Sequence, residues 1–286
     1  MSRIVYVNGR YVPYARASVH IDDRGYQFAD GVYEVCAVRD GRLVDEAPHL
    51  KRLERSLGEL RIGWPIGVEQ LRHVMRETVR RNRVVDGLVY VQISRGVARR
   101  DHPFPLGAVK PSLVVTARNL AVDKYDALAA TGVAVITLPE TRWARCDIKS
   151  TSLLANVLAK QKAREAGAFE AWFVDRDGFV TEGASTNAWI VDANGVLRTR
   201  RLDQTILPGV TRGEILPLCL QLSIRLEETP FTVEAAKAAR EAFVTSASAG
   251  VIPVTSVDAV KLGDGKPGGI ARSLRDAYWA SRTAVG

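Results

Sequence analysis

The 286-residue sequence predicts a two-domain α+β fold, and three observations predict it. Period-two apolar alternation is punctuated by hairpin signals: Asn8-Gly9 and Asp40-Gly41 early, Asp175–Gly178 and Asp192–Gly195 later. Between these strands, apolar residues recur at the three- and four-residue spacing of amphipathic helices. The stretch 119–131 has no strong period and separates two such mixed regions.

Taken in order, Ile4–Val7 and Tyr11-Val12 flank the first turn, and Val32–Val38 pairs across Asp40-Gly41 with Leu43-Val44. Leu50, Leu53, Leu57 and Leu60 place a helix over 46–60; Leu71, Val74, Met75 and Val79 place another over 67–82. Strands over 87–94 and 112–118 complete an N-terminal domain of residues 1–120. Residues 121–131 read as the interdomain linker, with a cleft between the domains. The C-terminal domain, 132–286, begins with a strand over 133–138 and a helix over 152–166, and then carries two hairpins. A helix near 209–222, strands over 242–245 and 251–256 and a closing helix over 268–282 finish it. There is no internal repeat and no low-complexity tract.

Composition narrows the function classes. Hydrophobic residues at 47% and charged residues at 25% are those of an ordinary globular protein. No apolar run approaches the roughly 18 residues of a membrane span, and Met-Ser-Arg-Ile-Val-Tyr-Val reads as a strand, not a signal peptide. Cys36, Cys146 and Cys219 have neither metal nor redox spacing, so reduced thiols, a cytoplasmic location and no metal are expected. The net charge of +8 is scattered, and its densest groups, Arg80-Arg81 and Arg198–Arg201, lack interleaved aromatics. A nucleic-acid surface is therefore not expected.

Several residues stand out chemically. Lys149 precedes Ser150-Thr151-Ser152, a set of good helix N-cap residues, and an apolar face of Leu153, Leu154, Val157 and Leu158. A helix start and partial burial both favour the neutral, nucleophilic amine; the alternative is a loop lysine in water, as Lys160 and Lys162 are expected to be. Glu182 sits in Thr-Glu-Gly-Ala-Ser-Thr-Asn (181–187), where Gly183 and the small residues after it leave room for a flat ligand; the alternative is a turn glutamate. A lysine amine and such a carboxylate are the pair that holds pyridoxal phosphate. Leu207-Pro208-Gly209-Val210-Thr211-Arg212 is a turn feeding a helix whose first amides and Thr211 hydroxyl suit a phosphate. The small polar run Thr245–Gly250 and the planar fork of Arg52 are further candidates for that anion. The loop Ser94–Pro105 carries Arg100 and His102 two residues apart and reads as a carboxylate grip or a solvated basic loop.

In chain order, the stretches Asp23–Glu34, His49–Leu53, Arg95–His102, Arg142–Ser150, Thr181–Asn187, Leu207–Arg212 and Phe243–Ser246 resemble the pyridoxal-phosphate-dependent aminotransferases of fold type IV. Within these, the likeness is to the D-amino-acid aminotransferases. The resemblance implies that Lys149 is the Schiff-base lysine and proton carrier, and that Glu182 keeps the pyridine nitrogen protonated. It implies that Arg52, Val210, Thr211, Ser246 and Ala247 surround the phosphate and that Leu207 packs against the ring. Tyr33, with Arg100 and His102 from the other subunit, would bind the substrate carboxylate in a homodimer whose active site lies at the interface. Ala184 and Ala247 depart from hydroxyl residues of the family, and Asp101 and Pro103 flank His102.

The expected reaction is ping-pong transamination between a D-amino acid such as D-alanine and a 2-oxo acid such as 2-oxoglutarate or pyruvate. A branched-chain L-amino-acid aminotransferase and an aminodeoxychorismate lyase share the fold and are the alternatives.

Overall fold

In the computed structural model, which describes residues 3–283, the chain divides into two compact units. One runs to Val122 and includes Ile148–Ser152; the other comprises Asp123–Asp147 and the chain from Leu153 onward.

The first unit contains β1 (Ile4–Val7), β2 (Arg10–Pro13), α1 (Arg24–Phe28), β3 (Gly31–Arg39), β4 (Arg42–Leu43), α2 (Glu46–Glu59), α3 (Val68–Asn82), β5 (Gly87–Ser94) and β6 (Ser112–Asn119). The first turn uses positive φ at both Asn8 (46°) and Gly9 (97°), the geometry whose twist matches the strands it joins. The six strands form an antiparallel sheet in the order β2-β1-β6-β5-β3-β4. Side chains alternate across it. Val32, Cys36 and Val38 of β3, with Val89, Val91 and Ile93 of β5, face a core shared with Leu50, Leu53 and Leu57 of α2 and Leu71, Met75 and Val79 of α3. The other face carries half-buried Tyr33, Val35, Tyr90 and Gln92.

Because β4 is two residues long and pairs only with the end of β3, the start of β3 has an open edge. The segment 149–151 takes that edge: Ser150 bridges Val32, Tyr33 N donates to Lys149 O (3.0 Å), and Thr151 N donates to Gly31 O (3.0 Å). Ile148 enters the core of the first unit. Lys149, expected with the C-terminal domain, is therefore packed with the first unit.

The second unit contains α4 (Val122–Thr131, whose first residue is the last of the first unit), β7 (Val133–Pro139), α5 (Leu154–Glu165), β8 (Glu170–Val174), β9 (Val180–Gly183), β10 (Asn187–Val191) and β11 (Leu197–Thr199). It continues with α6 (Val210–Gln221), β12 (Leu226–Glu227), α7 (Val233–Lys237), β13 (Glu241–Ser246), β14 (Gly250–Val257), β15 (Val260–Lys261) and α8 (Gly269–Thr283). Its mixed sheet runs β12-β11-β10-β13-β14-β7-β8-β9, with β15 beside β14. Separate apolar clusters pack on this sheet. One gathers Trp172, Val180, Ile190 and Val244; another packs Trp189 and Phe243 against Ile215 and Leu218 of α6 and Leu274 and Tyr278 of α8.

Several expectations change. The stretch 121–131, read as the interdomain linker, is helical: α4 is held by buried Ala129 and by an Asp126–Arg275 ion pair of 2.6 Å. Lys149 does not open a helix, since α5 begins at Leu154 after Leu153, whose side chain makes no cap bond. The helix-dipole argument for its amine therefore does not apply. Nor does α5 bury Leu154, Val157 and Leu158, which are 73%, 59% and 58% exposed. It packs through Ala159 and Ala163 against Ala171 and Phe173, because a close helix–sheet approach needs small side chains. Lys160, expected in water, donates to Phe169 O (2.6 Å) and lies 3.3 Å from the fully buried Glu170.

Candidate active site

Lys149 is half-buried, and its Nζ stands 4.3 Å from the centroid of the Tyr33 ring. Edge pairing with β3 and a bond from its own N–H to Ser56 Oγ (3.2 Å) fix its backbone. Tyr33 stacks on Tyr90, with centroids 5.6 Å apart. Burial, with some help from Tyr33, pushes the Tyr90 hydroxyl up to about 12, so it remains a neutral donor, here to Gln92 Oε1 (2.6 Å).

One residue further on, Glu34 turns to the opposite face and meets α2. Arg52 Nε donates to Glu34 Oε1 (2.7 Å), Arg52 Nη2 donates to Oε2 (2.8 Å), and His49 Nδ1 lies 2.7 Å from Oε2. All three are buried. Burial alone would raise the Glu34 carboxyl; attraction and hydrogen bonds from Arg52, then His49, overcome it and hold the carboxyl at about 2. The Arg52 guanidinium is thus a fixed cation with its plane set by a carboxylate.

Arg100 and His102 lie on the exposed segment after β5. The Phe28 ring lies 5.1 Å from the Arg100 guanidinium carbon and 5.6 Å from the His102 ring.

In the second unit, Glu182 on β9 is 5% exposed. Arg142 Nη1 donates to its Oε1 (2.5 Å), Asn187 Nδ2 to its Oε2 (2.9 Å), and Leu207 N to both (3.1 Å each). Four donor contacts, one of them from a fixed cation, hold the carboxylate in place. Arg142 is clamped in turn by Glu140, at 2.9 and 2.6 Å. Burial opposes the Arg142 charge, yet its bonds to Glu140 and the attraction of both glutamates raise its pKa above the ordinary arginine value. Asn187 also donates to Leu207 O (3.1 Å) and pairs with Thr245 across β10 and β13, so it joins the carboxylate to the turn before α6.

At the start of α6 the N-cap is Gly209, without a side chain to satisfy the first amides; a Cβ there would run into Asn187 Oδ1. Val210 and Thr211 are buried, and Thr211 Oγ1 is buried with no hydrogen-bond partner among the described residues. A buried orphan hydroxyl costs about 1–3 kcal/mol unless a ligand satisfies it. Beside unpaired helix-start amides, it fits an anion such as a phosphate. Ser246 and Ala247 lie half-buried at the turn from β13 to β14, where Ser246 Oγ is 3.4 Å from Ser248 Oγ. Buried Ala184, lacking a hydroxyl, presents its carbonyl to Asn156 Nδ2 (2.8 Å). Among the described residues, no group of His, Cys, Asp and Glu has the makings of a metal site.

Glu34, Arg142 and Asn187 are partners that residue spacing did not reveal. Glu34 carried a signal: it is a charge at a core-facing parity between Val32 and Cys36. Arg142 and Asn187 lay at the ends of stretches already singled out, but nothing in their spacing tied them to Glu182.

The first unit thus carries a half-buried lysine, and the second a buried carboxylate and a glycine-capped helix start. Residues 31–257 match the amino-transferase class IV family, and the chain belongs to it. It is 41% identical over 273 residues to the D-alanine aminotransferase of Bacillus licheniformis, covering 96% of this chain and 95% of that one. With the D-alanine aminotransferase of Staphylococcus haemolyticus it shares 40% identity over 275 residues, 96% of each chain. Its fold matches the crystal structure of the branched-chain aminotransferase from the archaeon Thermoproteus uzoniensis with norvaline at a TM-score of 0.85 and 27% identity. That match covers 98% of this chain and 94% of the other.

Proposed function

We propose that this chain is a pyridoxal-5'-phosphate-dependent transaminase that moves an amino group between a D-amino acid of the D-alanine type and a 2-oxo acid, 2-oxoglutarate or pyruvate. The observation that carries the choice of hand is the 41% identity, over 96% of the chain, with a D-alanine aminotransferase. When bound, the cofactor supplies an aldehyde for the amino group and a protonated pyridine ring that accepts electrons.

Lys149 Nζ would hold the aldehyde and would carry the proton that leaves the amino-acid α-carbon. Glu182 would accept the pyridinium N–H; the donors from Arg142, Asn187 and Leu207 support this, since they fix the carboxylate in place. Arg52, the amides of Val210 and Thr211, the Thr211 hydroxyl, Ser246 and Ala247 hold the phosphate, and Leu207 packs on the ring. Tyr33, Arg100 and His102 bind the substrate carboxylate, the last two reaching the partner's site in a cytoplasmic homodimer. The exposed stripe of Leu154, Val157 and Leu158 supports association between copies.

A branched-chain L-amino-acid reading is favoured by one observation, the likeness of the fold to the Thermoproteus uzoniensis enzyme. Mixing the holoenzyme separately with D-alanine, L-alanine and L-leucine, while following the visible band of the bound cofactor, separates the two. Loss of the band with D-alanine alone is expected; a response to L-leucine alone refutes the D-specific reading.

A further inference from the structure

Residues 99–105 contain no helix or strand. Among the described residues, the hydrogen bonds that tie Asp101 and His102 to the rest of the first unit come from one side chain, Arg24. Its Nη1 donates to Asp101 O (2.6 Å) and its Nη2 to His102 O (3.1 Å). Its third arm, Nε, donates to Asp30 Oδ2 (2.8 Å). Arg24 is 3% exposed, so its charge is deeply buried.

Asp30 is shared with a second arginine. Arg95 Nε donates to Asp30 Oδ2 (2.7 Å) and Nη2 to Oδ1 (3.0 Å), while Nη1 and Nη2 also reach the carbonyls of Arg61 and Leu60, just past α2. Two buried guanidiniums on one carboxylate leave one positive charge in excess. The carbonyl dipoles of residues 60, 61, 101 and 102 offset that excess. A planar fork on two successive carbonyls also fixes two successive peptide planes, and with them the direction in which His102 leaves the backbone. The Arg24 guanidinium lies 4.8 Å from the Phe28 ring, the ring that Arg100 and His102 also approach.

We propose that Arg24, locked by Asp30 and Arg95, is a positioning residue for substrate recognition: it sets the backbone of Asp101–His102 and so the geometry with which His102 and Arg100 meet the substrate carboxylate. The proposal rests on reading Arg100 and His102 as carboxylate-binding, and it adds the device that holds them.

The test uses the holoenzyme with D-alanine and compares wild type, Arg24→Lys, His102→Ala and the double variant. Arg24→Lys keeps the charge and loses the fork. It is expected to raise KM about tenfold, as a small misplacement of binding groups does, with kcat within about twofold and cofactor content unchanged. The double variant is expected to match His102→Ala alone, because one effect acts through the other. Hydrogen exchange of the 97–106 peptide should quicken in Arg24→Lys while that of the β5 peptide does not.

Multiplying effects in the double variant, or a loss spread over kcat, cofactor and thermal stability, would mark Arg24 as merely structural and overturn the proposal. An unchanged KM in His102→Ala sinks the carboxylate reading itself; a raised KM there with wild-type behaviour in Arg24→Lys sinks only the positioning role. Should Arg24→Lys not fold, Asp30→Asn, which leaves the fork but loosens its anchor, must raise KM in the same sense, and failure to do so counts against the proposal.

Discussion

Arg142 Nη1 donates to Glu182 Oε1 at 2.5 Å, and both side chains are only 6% exposed. Removing Arg142 leaves Glu182 and Glu140 without their shared cation. Arg142→Met is expected to destabilise the folded protein by about 3–5 kcal/mol, the usual cost of stranding a buried charge. Urea unfolding of the variant without added cofactor measures it. A change below about 1 kcal/mol, the range of an exposed pair, contradicts the clamp described above.

Glu182→Gln keeps the shape and removes the charge that is proposed to hold the ring nitrogen. A fall in kcat of about a hundredfold is expected, comparable to losing one fixed electrostatic partner of a transition state. Cofactor content should stay near wild type, because the phosphate contacts are untouched. Steady-state kinetics beside cofactor quantification decide between this and a purely structural glutamate, for which kcat would stay unchanged.

Lys149 and Lys160 are both partly buried lysines, and only the first is proposed to bind the aldehyde. Borohydride reduction of the holoenzyme, followed by peptide mass analysis, should place the cofactor's mass on the peptide containing Lys149. Lys149→Met should slow turnover by about 10²–10⁴-fold through loss of proton transfer alone. Label found on Lys160 reverses the assignment.

The orphan hydroxyl of Thr211 leads to opposite signs with and without cofactor. Thr211→Val removes an unsatisfied buried donor, so the cofactor-free protein should be as stable as wild type or more so. The holoenzyme should lose roughly tenfold to a hundredfold in cofactor affinity, since a hydrogen bond to a charged phosphate disappears. Thermal melts of both forms, with a cofactor titration, check the pair of signs together.

Acid sensitivity should trace to Glu34. Its carboxyl sits at about 2 in the fold against an ordinary value of 4.5. A depressed carboxylate pKa contributes stability that is fully present above about 4.5 and is lost as pH falls from there toward 2. Glu34→Gln should be less stable at neutral pH, with Arg52 stranded, and should show a flatter decline across that window. An unchanged acid-unfolding profile would count against the pairing.

Much of the fold was legible because periodicity reports burial directly. The helices α2 and α3, and the strands β3, β5 and β6, fall where Leu, Val and Ile repeat at their period, and the Asn8-Gly9 turn falls where two positive φ values are cheapest. The misreadings share a cause. In α5 the sequence shows large apolar residues on one stripe, and the natural inference buries them. The sheet instead accepts only the alanine stripe, a matter of how closely two elements approach. In α4 the apolar pattern is weak, and the helix is held by tertiary partners such as Arg275, which lies far along the chain.

From the sequence alone one reads the mixed two-part α+β architecture, because periodicity is local; the candidate lysine, glutamate, helix start and basic loop were weak signals singly and were picked out by their ordered resemblance to a known family. Tertiary structure alone decided the partners: Glu34 for Arg52, Arg142 for Glu182, Arg24 for the backbone at His102, and the edge of β3 for Lys149. The reason is physical. A buried charge is tolerable only where another element supplies its counter-charge and donors, and that pairing is settled by packing across the fold rather than by neighbours in the chain.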